Sequence, residues 1–249
     1  MHWQNLTSPR LHQLDRATPV LLPIAAIEQH GPHLPLATDG IINEHFCREL
    51  DARLGKRVLI LPTVAVTCSA HHMDFAGTLT LQHETLLANI VDTLKSVAAH
   101  GFRNLVIFNS HGGNQGIARV ALEKFGALHA ECRIVLATWW QLAASELLPL
   151  NESGPGGVGH AGEFETSLVL LAAPQLVDES AIQSRQNEPT FDWAEADLLR
   201  GPRASLYRTM KEVSPNGAQG EPTAASREKG EAITRVVVDA LCKVIEDLQ

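Results

Sequence analysis

Apolar residues along this chain come in short blocks, and polar stretches rich in Gly and Pro separate them. The blocks "VLLPIAAIE" (20–28), "RVLILPTVAV" (57–66), "NLVIFNS" (104–110) and "RIVLATWW" (133–140) are of strand length and read as strands. Between them the apolar spacing becomes helical. Residues 39–54 carry Ile42, Phe46 and Leu50 on one helical face, with Asp39 at or near the N-cap. Further helices are expected over about 82–100, from "HGGN" to about Glu131, and after a loop in "HAGEFETSLVLLAA". Residues 174–220 are weakly patterned and read as surface loops, and the tail is an amphipathic helix. Strands alternating with helices predict βαβ units, a mostly parallel sheet and a three-layer α/β/α sandwich. A chain of 249 residues fits a single domain, 1–249.

Composition narrows the function. The net charge of −8 argues against a general nucleic-acid or anionic-membrane surface. Four scattered cysteines without a CxxC pair read as reduced core thiols rather than a thiolate zinc site. No secretory leader and no apolar run of about 18 residues is visible, so a cytoplasmic enzyme is expected. No GxGxxG follows the first strand, which disfavours a dinucleotide-binding protein.

The candidate chemistry lies in the histidines, of which there are 12. "EQHGPHLPLATD" (28–39) holds Glu28, His30 and Asp39, and is a poor helix and a poor central strand. Glu28 and His30, two apart on an extended segment, share a face. His111 follows the third strand, and His160, Glu163 and Glu165 follow a Gly-rich loop. All sit where strands end or helices begin, the edge at which open parallel sheets bind ligands. Imidazole and carboxylate suit zinc or manganese, with Asp39 short enough to bridge two ions. A dinuclear centre that activates water and polarises a carbonyl is a hydrolase site, with His160 as its proton carrier. Asp39 also reads as a plain helix cap, and Glu165 as a residue that orients a ligand. His12, His83, His100 and His129 read as uninvolved.

These motifs resemble the creatininase (creatinine amidohydrolase) family. "LPIAAIEQHGPHLPLATD", "HHMDFAGTLTL", "NSHGGN", "HAGEFETSL" and "NGAQGEPTAASREKGE" are similar to family elements, in family order, from about residue 20 to 235. The resemblance implies a three-layer α/β fold, two divalent metal ions (zinc or manganese, with iron a third candidate) and amide hydrolysis. It implies Glu28 and His111 on one metal, His30 on the other and Asp39 on both. Creatinine-cleaving members carry a Glu two residues after the second-motif histidine, where this chain has Gly113. Glu163 is therefore the expected replacement ligand. His160 matches the active-site histidine, with Glu165 beside it. His72 is expected to line the pocket, from this chain or a neighbouring subunit. Trp139 or Trp140 falls near a tryptophan that covers substrate, though core packing explains either equally. A homo-oligomer, commonly a hexamer, is also implied. The expected substrate is a small, cyclic amide such as creatinine. A formamidopyrimidine deformylase, a peptidase of a modified peptide and a metal-binding module without catalysis are the alternatives.

Overall fold

The computed structural model describes residues 1–249. Strands β1 (Val20–Ile24), β2 (Leu59–Ile60), β3 (Asn104–Asn109) and β4 (Arg133–Thr138) form one sheet in the order β2-β1-β3-β4, with every neighbouring pair parallel. Alternate residues feed two separate cores. Leu21, Val106 and Phe108 point to one face, under helices Thr38–Leu54, Glu163–Ala172 and Arg227–Asp247. Val20, Leu22, Ile24, Leu105 and Ile107 point to the other, under helices His83–Ala99 and Gln115–Leu128. The α/β/α sandwich expected from the strand-helix alternation is what forms. No helix is long and apolar enough to cross a membrane.

Several boundaries shift for physical reasons. The second strand is shorter than the apolar block 57–66. Leu61 N donates to the Leu21 carbonyl and Val64 N to the Pro23 carbonyl, so three residues here span two of the first strand, and the extra residue breaks the ladder, leaving an isolated bridge between Ile24 and Val64. The first strand ends at Ile24, which frees 25–28 to leave the sheet. The fourth ends at Thr138, and Trp139–Leu142 turns into a short helix. Ala37, not Asp39, occupies the N-cap of helix Thr38–Leu54, and no side chain caps that end. Asp39 is thus inside the first turn, with its carboxylate available for other partners.

The strand order fixes where a site can form. From β1 the chain goes to β2 on one side, then crosses to β3 on the other. The carboxyl ends of β1 and β3 therefore flank the point where the winding reverses, the usual crevice of open α/β sheets. Asn43 locks that edge: its amide donates to the carbonyls of Ile24 and Phe108, and Ser110 Oγ donates to the Asp39 carbonyl.

Candidate metal centre

The segment after β1 crosses the mouth of this crevice. It carries Glu28 and His30, fully buried despite their polarity, and leads into the helix that carries Asp39. His111 arrives from the end of β3, where the Asn109 side chain brackets it: Oδ1 accepts from His111 N and Nδ2 donates to His111 O. His160 and Glu165 come from the loop and first turn at helix Glu163–Ala172. Ala161, between His160 and Gly162, has φ +53°, and its N–H donates to Glu165 Oε2 at 2.6 Å. That left-handed residue turns the chain sharply enough for His160 and Glu165 to face one centre.

The distances describe a shared centre. His111 Nδ1 lies 3.2 Å from Asp39 Oδ2 and 3.3 Å from Glu28 Oε1. His30 Nε2 lies 3.5 Å from Asp39 Oδ1 and 3.8 Å from Glu165 Oε2. The two oxygens of Asp39 thus face two different histidines. Glu28 Oε1 and Oε2, His30 Nε2 and Asp39 Oδ2 are buried with no hydrogen-bond partner at all. Buried polar atoms are almost always paired, so four orphans turned to one point call for a ligand. Glu28, His30 and Asp39 offer ligand atoms all within 4.8 Å of one another, as do Glu28, His71 and His111, and His30, His160 and Glu165. Oxygen and imidazole donors in this number fit zinc or manganese.

Partners on the far side of each ring keep the inward nitrogens available. His111 Nε2 is 3.0 Å from the Cys68 carbonyl and His30 Nδ1 is 3.1 Å from the Glu28 carbonyl. Each carbonyl accepts the ring proton, which leaves the opposite nitrogen as the lone-pair donor. His160 Nε2 likewise donates to the Gln29 carbonyl at 2.7 Å. Its Nδ1 faces Glu28 Oε1 at 3.6 Å.

The electrostatics are those of a site built for cations. Burial alone would lower His30, but Asp39 and then Glu165 and Glu28 lift it to about 9. His111 is raised well above its ordinary value, against burial, by Glu28 and Asp39. Burial would raise Asp39, yet His30 and His111 hold it well below the carboxylate range. Burial, with His30 and Asp39 acting in opposite directions, leaves Glu165 at about 7. Burial and then His30 push His160 down to about 3.

The structure brings together Glu28, His30, Asp39, His72, His111, His160 and Glu165. They surround a cavity of about 260 Å³, apart from His30, which lies beneath it. His72 comes from this same chain, with Nε2 3.3 Å from Glu28 Oε1 and Nδ1 2.8 Å from Gln29 Nε2. His71, which sequence reasoning passed over, also lines the cavity, and its ring stacks 5.8 Å from that of His111.

Glu163 is elsewhere. Its carboxylate accepts from Lys229 Nζ, from Ser153 Oγ and from the N–H groups of Glu152 and Ser153, the last two at 3.0 Å. It pins the loop that leads to His160 rather than facing the centre. Glu163→Gln is therefore expected to keep full metal content while losing about 3 kcal/mol of unfolding free energy, because Lys229 stays buried without its main partner. Metal analysis with urea unfolding checks both; loss of one ion would return Glu163 to the ligand set. Trp139 and Trp140 also depart from the substrate-covering role. Trp139 is 0% exposed, packed between Phe46 and Trp140 in the core, and neither tryptophan lines the cavity.

Beyond the cavity runs a second, larger space of about 860 Å³, walled mostly by residues of the 185–208 segment. The two share Ala196, Asp197, Arg208, Val213 and Gln219.

A family model described as "Creatininase: Creatinine amidohydrolase" matches residues 4–245. A mycofactocin precursor peptide peptidase of Mycobacterium ulcerans (strain Agy99) is 33% identical over 228 residues, covering 88% of this chain and 81% of that protein. A creatinine amidohydrolase of Pseudomonas putida is 27% identical over 245 residues, covering 92% and 88%. A solved mutant creatininase described as "Zn-Zn type" superposes with a TM-score of 0.82 at 25% identity, covering 99% of this chain and 97% of that one.

Proposed function

The chain belongs to the creatininase family, and on that premise we propose that it is a metal-dependent amidohydrolase cleaving a C–N bond of an amide substrate. The observation that carries this reading is the Asp39 carboxylate, whose oxygens face His30 and His111 separately. Glu28 and His111 would hold one divalent ion, His30 and Glu165 the other, and Asp39 both. Zinc and manganese suit this donor set, with iron a third candidate. When bound, such ions acidify water and polarise the amide carbonyl.

The protein's own groups handle the proton. His160, neutral and fixed by Gln29, presents Nδ1 toward the cavity. It takes a proton from the attacking water and returns it to the leaving nitrogen. The water oxygen ends on the carbonyl carbon, the C–N bond breaks, and an acid and an amine leave. His72 forms the opposite wall, its Nδ1 accepting from Gln29 Nε2 at 2.8 Å while the same amide group donates to the Gly217 carbonyl.

The first substrate class is a small cyclic amide, creatinine or a related compound. Two features favour a second, linear class, such as a modified peptide or a formamidopyrimidine intermediate. A Cβ at Gly113 would lie 2.4 Å from His111 Nε2 and 2.6 Å from the Cys68 carbonyl, so the glutamate of creatinine-cleaving relatives has no room in this arrangement. The large groove beyond the cavity also has space for an extended chain. Metal analysis joined to a screen of creatinine, hydantoins, formamides and peptides tests the reading. Two tightly held ions with no turnover of any amide would leave a metal-binding module. A homo-oligomer, hexameric by resemblance, belongs to the same proposal, and light scattering reads it.

Metal affinity should rise with pH. In the metal-free site His30 keeps its proton up to about 9, so a binding ion must displace it. Each displaced proton makes affinity climb about tenfold per pH unit below that value. Competition against a chromogenic chelator at pH 6, 7 and 8 should show this slope; a flat profile would mean that His30 gives up no proton.

A further inference from the structure

We propose that Arg208 is the specificity residue of the site, and that it selects amides carrying an anionic group, a carboxylate or a phosphate, a short distance from the scissile bond. The inference rests on the amidohydrolase reading and names the substrate class within it. Arg208 is the only Lys or Arg lining the cavity that holds Glu28, Asp39, His111, His160 and Glu165. It also lines the groove beyond, so it stands on the wall common to both. A substrate reaching from the centre into the groove passes it.

Arg208 has no anionic partner within the protein. Its one hydrogen bond runs from Nη2 to the Glu212 carbonyl, and no carboxylate lies within ion-pair distance. The remaining guanidinium N–H groups are uncommitted. Asp197, the acid on the same wall, is already spent: Oδ2 accepts from Gly156 N, and Oδ1 accepts from Leu199 N and Arg200 N. A half-buried guanidinium with an unspent fork is suited to bidentate capture of a carboxylate or phosphate. Its backbone is held as well. Thr209, the next residue, caps the turn Met210–Val213 in a reciprocal pairing with Glu212. Creatinine carries no anionic group, and Arg208 would give it nothing.

The test uses the metal-loaded full chain and three probes: acetyl-tetraalanine as the free acid, as the C-terminal amide, and with the terminus replaced by aminoethyl phosphate. Calorimetric titration of wild type, Arg208→Gln and Arg208→Lys reads the affinities, and metal content and thermal unfolding are recorded for each. Wild type should prefer at least one anionic probe over the amide by about tenfold. Which probe gains identifies carboxylate or phosphate as the group read. Arg208→Gln should reduce that probe to the affinity of the amide, leave the amide itself unchanged, and keep both ions; Arg208→Lys should recover part of the preference. Equal binding of all three by wild type, including no binding, overturns the inference. So does a preference that survives Arg208→Gln, since the anion would then be bound elsewhere, by the metals or by Arg185 or Arg200 of the groove. Hydrolysis assays on the same preparations separate the two levels: turnover of amides without anion preference rejects only Arg208, and anion preference without turnover rejects only the amidohydrolase.

Discussion

Asp39→Asn should abolish both metal binding and turnover. The amide keeps the size of the carboxylate but has one oxygen and no charge, so it cannot serve two ions. The pair of oxygens facing His30 and His111 is then gone. The cost should be on the order of 10⁴-fold or more in kcat/KM, since the unassisted water that remains is a far weaker nucleophile. Elemental analysis of the purified variant should find much less than one ion per chain. A variant that kept two ions, or activity within tenfold of wild type, would remove the bridging role and with it the paired-ion reading. Asp39 would then count only as a partner of buried histidines.

His160→Gln should separate the chemistry from the metals. Removing a proton carrier typically costs about 10²- to 10⁴-fold, and the loss should fall on kcat with KM little changed. Both ions should remain, because Glu28, Asp39, His111, His30 and Glu165 are still in place. Loss of an ion instead would make His160 a ligand, an option its position beside His30 and Glu165 allows. Metal content and steady-state kinetics on one preparation decide between the two.

Most of this centre was legible in the sequence because its residues sit at strand ends, and strand ends are visible as the edges of apolar blocks. Glu28, His30, Asp39 and His111 come from two such edges, and their meeting follows once the strand order is parallel with β1 beside β3. What was not legible depends on rotation. Glu163 and Glu165 are two apart on a helix, so they cannot face the same way. Which one faces the centre is decided by how Phe164 and Leu168 seat the helix in the core, and by Lys229, which arrives from a helix more than 60 residues later. The adjacent tryptophans pose the same problem: burial of Trp139 against Phe46 is a matter of packing that no local spacing encodes. Arg208 belongs to no motif, and His71 opens the "HHMDFAGTLTL" element without being singled out by it. One lies in a stretch without periodic pattern, and the other stands beside a histidine that drew the attention.

The walls of the groove and the donors beneath it come from different parts of the chain. Glu28, His30, Asp39, His111 and Glu165 belong to the sheet edge and two helices, while residues 185–208 wrap over them as one continuous strap. The strap is tied down by the Arg185 guanidinium on the Pro155 carbonyl, the Glu188 N–H on the Val213 carbonyl, the Asp197 carboxylate on Gly156 N and the Leu198 N–H on the Val158 carbonyl, among others. A chimera that exchanges 185–208 for another sequence, but preserves those ties, would inherit the reactive centre with a new choice of substrate. Evolution could retune such a protein in the same way, by editing one segment and leaving the ligands untouched.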